Sequence, residues 1–286
     1  MKRVGVVVHP TRSAAKEAAE RLEHWLGDRG AEVRRSDGSN TEDDESARAF
    51  THGLDLVVAV GGDGTFLRAA HLASRGDVPV LGMKVGRMGF LTEVEPDDAT
   101  ALLDRVLDGH ARIEERLAML AEADAPEFPA QWALNEVIVE KTARHRLIRL
   151  AVYVDETYVT TFSADGVLSA TPTGSTAYSF SAGGPIVTPS VPCLVVTPIA
   201  PHMVFDRSLV LGADQRVTIE VLGDEAAVVS ADGRSSLELP VGSRVRIGRA
   251  PRPLRLVRLD DAPAFHELVR RKFGLPGPDE REDPQA

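Results

Sequence analysis

The chain has 286 residues, 43% of them hydrophobic, and a formal net charge of −10. That length suits one large domain or two ordinary ones with a substantial core, and the acidic balance argues against general binding to nucleic acid or an anionic membrane surface. The single cysteine, Cys193, excludes an intrachain disulfide and a Cys-rich metal site and fits a reducing cytosol, and no stretch is long enough to span a bilayer.

Lys2 to Val8 predicts a first strand. The apolar run is short, His9-Pro10 follows it and no cleavage site is evident, which argues against a signal peptide. Ser13 to Arg29 predicts a helix: Ser13 can cap it, apolar residues recur at Ala15, Ala18, Ala19, Leu22, Trp25 and Leu26, and Gly30 stops it. Ala31 to Val33 begins a second strand. Ser36 to Ser46 is polar and acidic and reads as a solvated loop rather than a metal cage.

Leu54 to Val60 is an apolar, β-branched run of the kind buried in a parallel sheet. It ends in Gly61-Gly62-Asp63-Gly64-Thr65, and Ala69 to Ala73 then reads as helix. Glycines around one carboxylate let the backbone turn sharply and approach a ligand without Cβ interference. In open α/β sheets ligands sit outside the carboxyl ends of the strands, and amides at a helix start suit phosphate. Read alone, the turn is equally open to Asp63 serving as a helix N-cap. It is neither of two familiar phosphate fingerprints. Leu67 stands where the third glycine of Gly-x-Gly-x-x-Gly belongs, and no Gly-Lys-Ser/Thr follows.

Val78 to Gly82 predicts another buried strand, which runs into a second glycine loop, Gly86 to Leu91. Asp97 to Leu107 reads as helix. The alternation of strand and helix predicts a doubly wound, Rossmann-like α/β domain. From Ile113 to Val257 the pattern changes to short β-like runs, among them Trp132 to Val139, Leu147 to Val154, Tyr158 to Phe162, Leu194 to Pro198, Arg216 to Leu222, Ala226 to Ser230 and Arg244 to Ile247. Asp155-Glu156 and Ala231-Asp232-Gly233 read as hairpin turns. The expected organisation is an α/β domain over 1–109, a β-rich domain over 110–257, a C-terminal helical segment over 258–275 that rejoins the first domain, and a disordered acidic tail over 276–286.

Asp165 to Pro185 is dense in hydroxyls and glycines. Its small side chains suggest a tightly packed backbone offering amides and hydroxyls to a polar ligand, with Tyr178 able to stack on a flat ring.

Gly61 to Thr65 resembles a signature shared by NAD kinases, diacylglycerol- and sphingosine-type lipid kinases and, more distantly, phosphofructokinases. Three further motifs narrow the resemblance: the loop Gly86 to Leu91, the pair Asn135-Glu136, and Asp165-Gly166 followed by Thr171-Pro172-Thr173-Gly174-Ser175-Thr176-Ala177-Tyr178-Ser179. Together and in this order they resemble the bacterial NAD kinase family over roughly residues 1 to 275. Lys84 departs from the asparagine usual before the glycine loop.

The resemblance implies phosphorylation of the 2′-hydroxyl of NAD's adenosine ribose, with ATP or polyphosphate as donor and a divalent cation, Mg²⁺, arriving with the donor. It implies Asp63 as general base with Gly64 and Arg68 beside it. Asn135 and Glu136 would hold the adenine-side ribose, and Arg146 and Asp165 would contact the dinucleotide. Thr173, Thr176, Ala177, Tyr178, Ser179, Phe180 and Ser181 would line its pocket, with Ala200 a further contact. It implies a cytoplasmic homodimer or homotetramer. A lipid kinase and a non-catalytic dinucleotide-binding regulator are the rival readings. The first would need an apolar tail pocket or a membrane-facing patch, and the hydroxyl-rich segment and acidic charge argue against it; Asp63 argues against the second.

Overall fold

The structure, a computed structural model, describes the chain except residues 1, 40–43, 87–88, 93–102, 107, 109, 125–128, 144, 235–236 and 277–286. It divides into two compact units, Met1–Glu115 with Arg255–Ala286, and Arg116–Leu254.

The first unit is built on a six-stranded sheet. Its strands are β1 (Arg3–Val8), β2 (Glu32–Ser36), β3 (Leu56–Gly61), β4 (Val80–Lys84), β5 (Ala111–Arg116) and β18 (Leu254–Leu259), in the order β2-β1-β3-β4-β18-β5. The pairs β1–β2, β1–β3, β3–β4 and β4–β18 are parallel. Every residue of β3 is buried, as a central parallel strand covered on both faces requires. Alternation divides β1 between those faces. Val4, Val6 and Val8 join Ala15, Ala18, Leu22 and Leu26 of helix α1 (Ser13–Asp28) in one core. On the other face, a Cβ on Gly5 would lie 2.9 Å from Phe50 of α2 (Asp44–Thr51).

Local signals explain most helix ends. Gly30 takes φ +75°, its N–H bonds to Gly27 O, and Ala31 N–H bonds to Leu26 O. This is a Schellman stop. At the start of α1 the expected Ser13 cap is corrected: Arg12 is the N-cap and Ser13 is the first helical residue. The Nδ1 of His9 instead accepts the amides of Thr11 and Arg12, each at 3.3 Å. The expected loop up to Ser46 is also corrected at its end, because α2 begins at Asp44. Asp44 and Glu45 occupy its first turn, where carboxylates favour the helix dipole. Of the helix expected over 97–107, residues 103–106 are helical and the others lie outside the described residues. The expected tail, apart from Pro276, lies outside them too.

The second unit is a sandwich of two antiparallel sheets. One has the order β10-β9-β14-β17-β6-β7, from β6 (Met119–Ala123), β7 (Gln131–Ala133), β9 (Ile148–Val154), β10 (Thr157–Ala164), β14 (Val217–Leu222) and β17 (Arg244–Arg249). The other has the order β13-β12-β11-β8-β15-β16, from β8 (Glu136–Lys141), β11 (Gly166–Ala170), β12 (Cys193–Ile199), β13 (Leu209–Gly212), β15 (Ala227–Ala231) and β16 (Leu237–Leu239). Leu150, Val152, Phe162, Ile219 and Ile247 of the first meet Val137, Val139, Val167, Leu194 and Val229 of the second in one core, as packed sheets require. The strand expected over Trp132 to Val139 is two strands, interrupted at Leu134 and Asn135. The turns Asp155-Glu156 and Asp232-Gly233 hold both residues at positive φ, the backbone of a two-residue hairpin turn.

Candidate active site

In the first unit the chain leaves β1, β3 and β4 at the same sheet edge. His9 N–H bonds to Val60 O and Val85 N–H bonds to Gly61 O, which ties the three strand exits together. Helix α3 (Asp63–Gly76) starts there. Its N-cap is Gly62, with no side-chain cap, and Asp63 stands in the first turn. The Asp63 carboxylate is therefore free of capping duty. It instead accepts the backbone N–H of Phe90 at 3.1 Å and of Leu91 at 3.3 Å.

Three glycines make this geometry possible. A Cβ on Gly89 would stand 1.9 Å from Asp63 Oδ1, one on Gly82 would stand 2.3 Å from Leu91 O, and one on Gly61 would stand 2.4 Å from Thr65 Oγ1. By contrast, Gly62 and Gly64 have no atom within 4 Å of that position. The amide end of α3 is open on that side, which suits an approaching phosphate. Arg68 follows Gly64 by one turn, packs on Gly38, and donates from Nη2 to Thr65 Oγ1 at 3.4 Å. Arg12 donates to Val85 O at 3.2 Å. Burial and the charges of Arg12 and Arg68 hold the His9 imidazole below its ordinary range, consistent with Nδ1 acting as an acceptor. Phe90, beside the Asp63 contact, packs against Phe265 and Phe273 of the C-terminal helix α5 (Phe265–Phe273), with ring centroids 6.1 and 6.2 Å apart.

In the second unit, β8 and β11 run antiparallel with Glu136 opposite Ala170 and Glu140 opposite Gly166. Asn135-Glu136 thus lies against the segment that leaves β11. Thr171 N–H bonds to Asn135 O at 2.9 Å, and Thr171 Oγ1 donates to Leu134 O at 2.5 Å. A Cβ on Gly174 would stand 2.0 Å from Asn135 O, so this glycine permits close backbone packing.

The hydroxyls of the Thr171 to Ser181 segment mostly fold the segment itself. Ser175 Oγ donates to Pro172 O at 2.7 Å and accepts Val187 N–H at 2.9 Å. Thr176 Oγ1 donates to Thr173 O at 3.3 Å, and Ser179 Oγ pairs with Thr197 Oγ1 at 3.2 Å. Buried Thr173 receives a long bond, 3.5 Å, from Arg116. Ala177 precedes a single helical turn, α4 (Tyr178–Ser181), whose Tyr178 amide faces the Glu136 carboxyl. Oε2 of that carboxyl is buried without a hydrogen-bond partner. Burial and the nearby Asp232 charge push the Glu136 carboxyl up to about 8.

Tyr178 feels the charges of both β8 carboxyls. Burial, then Glu140, Asp165 and Glu136, raise its phenol above the usual range. Asp165 takes Lys141 Nζ at 2.5 Å. Its N–H bonds to Ile199 O, which brings Ala200, in a left-handed conformation at φ 45°, next to it. Tyr178 is thus near Glu136, Glu140 and Asp165, with Asn135 just before β8. Phe180 and Ser181 are exposed on α4. Arg146, in the β8–β9 connection, pairs with Glu225, and the structure joins it to no other member of the set. Sequence reading missed Asp232, which it took for a turn residue, and the His9 and Arg12 cluster. Asp-Gly inside a hairpin and a histidine at a strand exit were the only signals.

A strand that ends in a glycine turn, a carboxylate held by loop amides and an open helix start define a phosphoryl-transfer enzyme of the GGDGT type. The family models of the ATP-NAD kinase N-terminal and C-terminal domains match residues 4–111 and 134–259. A NAD kinase of Heliobacterium modesticaldum is 40% identical over 280 residues, covering 96% of this chain and 99% of that protein. A NAD kinase of Symbiobacterium thermophilum is 47% identical over 223 residues, covering 77% and 78%. Among solved structures, an Archaeoglobus fulgidus NAD kinase in complex with ATP has a TM-score of 0.71 at 27% identity, covering 96% of this chain and 98% of that one. Yeast NADH kinase complexed with NADH has a TM-score of 0.83 at 24% identity, covering 96% and 87%, a likeness of fold. The chain belongs to the NAD kinase family.

Proposed function

We propose that this chain phosphorylates the 2′-hydroxyl of the adenosine ribose of NAD, giving NADP, with ATP as donor. The observation that carries the reading is the Asp63 carboxylate, held by the Phe90 and Leu91 amides beside an open helix start. A ribose hydroxyl is a poor nucleophile at neutral pH. Asp63 accepts its proton as the oxygen bonds to the γ-phosphorus and the bond from that phosphorus to the bridging oxygen breaks, releasing ADP. Arg68 and the first amides of α3 balance charge on the phosphates. Asn135 and Glu136 hold the ribose. Asp165, Thr173, Thr176 to Ser181 and Ala200 line the dinucleotide pocket, and Arg146 reaches the dinucleotide once released from Glu225.

Among the described residues no three His, Cys, Asp or Glu side chains gather into a metal cage. A divalent cation, Mg²⁺, would enter with the nucleotide donor and neutralise charge on its phosphates. Among those residues no helix is long and apolar enough to cross a membrane. The single cysteine, which suits a reducing compartment, supports a cytoplasmic placement. We assign it a homo-oligomeric state, supported by the exposed apolar side chains of Tyr178, Phe180, Ile186 and Val191.

A coupled assay tests the reaction. Purified protein is given NAD with ATP or with inorganic polyphosphate, and NADP is read through an NADP-specific dehydrogenase, with diacylglycerol plus ATP as the competing substrate. NADP formation with ATP is expected. No NADP from either donor, or phosphate transfer to the lipid, would overturn the reading.

A further inference from the structure

The turn between β15 and β16 reaches back to the break between β7 and β8. Asp232 Oδ2 accepts Leu134 N–H at 2.8 Å, and Oδ1 accepts Asn135 N–H at 2.8 Å and Glu136 N–H at 3.1 Å. Asp232 N–H returns a bond to Glu136 O at 3.0 Å. Three consecutive amides aimed at one point form an anion-binding nest, and here the anion is a side chain of the same protein. The opposite edge of this peptide run is fixed by Thr171, through the carbonyls of Leu134 and Asn135. Donors and acceptors of the backbone are both engaged, so the side chains of Asn135 and Glu136 are what this stretch has left to offer.

We propose that Asp232 is a positioning residue of the nucleotide site, holding the backbone of Leu134, Asn135 and Glu136 in the shape that presents the Asn135 and Glu136 side chains to the ribose of the dinucleotide. The proposal rests on the assignment of that pair to the ribose. A turn role alone does not account for Asp232. Both Asp232 and Gly233 have positive φ, at 52° and 64°, and Asn-Gly makes such a turn as well as Asp-Gly. What asparagine cannot do is accept three amides, because its amide nitrogen is a donor.

A second consequence concerns charge. The groups facing the Glu136 carboxyl are Asp232 from the β15–β16 turn and the amide and phenol of Tyr178 from α4. The Asp232 charge, added to burial, keeps Glu136 protonated at neutral pH. Its Oε2 is buried without a hydrogen-bond partner, where a neutral acid costs less than a carboxylate.

The test is Asp232→Asn in the full chain, with steady-state kinetics and direct titration of NAD from pH 6 to 9. The expected result is a KM for NAD at least about tenfold higher, a kcat at saturating NAD within about threefold of wild type, and a cooperative thermal melt. The alkaline loss of NAD affinity should also begin at lower pH than in wild type, because Glu136 has lost its like-charged neighbour. A folded variant with wild-type KM, or one whose loss is confined to kcat, overturns the proposal. Should Asp232→Asn not fold, Asp232→Ser is measured against the same two outcomes. Wild-type protein that neither binds nor phosphorylates NAD would overturn the underlying ribose assignment instead.

Discussion

The Asp63 carboxylate and the backbone N–H of Phe90 are joined by a hydrogen bond of 3.1 Å across 27 residues of sequence. The bond ties the turn after β3 to the glycine loop after β4. It orients the carboxylate by backbone donors, which do not change rotamer, and leaves no capping role for it, since Gly62 is the N-cap.

Asp63→Asn should therefore separate chemistry from binding. Asparagine keeps the size but cannot take a proton at neutral pH, and one of its side-chain faces would set a donor against the Phe90 or Leu91 amide. Turnover should fall by roughly 10² to 10⁴, while NAD affinity changes far less, because the lost interaction belongs mainly to the transition state. Steady-state kinetics with an NAD titration decide the matter. Retained turnover would remove the catalytic role, and lost binding with normal saturated turnover would make Asp63 a substrate holder.

Gly89→Ala probes the same carboxylate from the other side. The added methyl would sit 1.9 Å from Asp63 Oδ1, so either the carboxylate or the loop must move. Turnover should drop by about tenfold or more, since small misplacements of a reacting group are costly. Circular dichroism should remain native. Normal kcat in Gly89→Ala would mean that the Asp63 position is not critical.

Much of this site was legible in sequence, and the reasons for the remainder are physical. The strand, glycine turn and helix around Asp63 declared themselves through local signals: an apolar β-branched run, then residues that tolerate a sharp bend. The partners of Asp63 did not, because Phe90 and Leu91 act through backbone amides that every residue possesses. Asp232 was hidden for the same reason and by distance, its three amide donors lying 96 to 98 residues away. The hydroxyls of the Thr171 to Ser179 segment were read as ligand groups, whereas several are engaged in shaping the loop. Helix α2 was obscured by Asp44 and Glu45, which resemble a solvated loop in composition yet suit a first helical turn.

Assembly is the next expectation. Tyr178, Phe180 and Ile186 are each 39% exposed and Val191 45% exposed, a run of apolar side chains on one segment beside the proposed pocket. Multi-angle light scattering should give a dimer or tetramer, and removal of residues 276–286 should leave it unchanged. An active monomer at assay concentration would refute this assignment.

Glu136 links stability to pH, and the sign follows from its raised affinity for a proton. The carboxyl is pushed up to about 8 in the folded protein, from 4.5 ordinarily. Between those values the folded state holds a proton that the unfolded chain has released. Stability attributable to this group is fully present below 4.5 and is lost as pH rises through 8, at a slope of up to about 1.4 kcal/mol per pH unit. Glu136→Gln removes the titration. Its side-chain oxygen can still face the Tyr178 amide, and its nitrogen supplies a donor where the protonated acid had one. The variant's melting temperature relative to wild type should therefore climb between pH 5 and pH 8 and level off outside that range. At pH 7 its NAD affinity should stay within a few-fold of wild type, whereas Glu136→Ala, which leaves the Tyr178 amide and the ribose without this partner, should lose about 1–3 kcal/mol of binding. Melts at pH 5, 6.5 and 8 with matched NAD titrations provide the check. A Glu136→Gln offset that stays constant with pH would show that Glu136 is ionised in the folded protein.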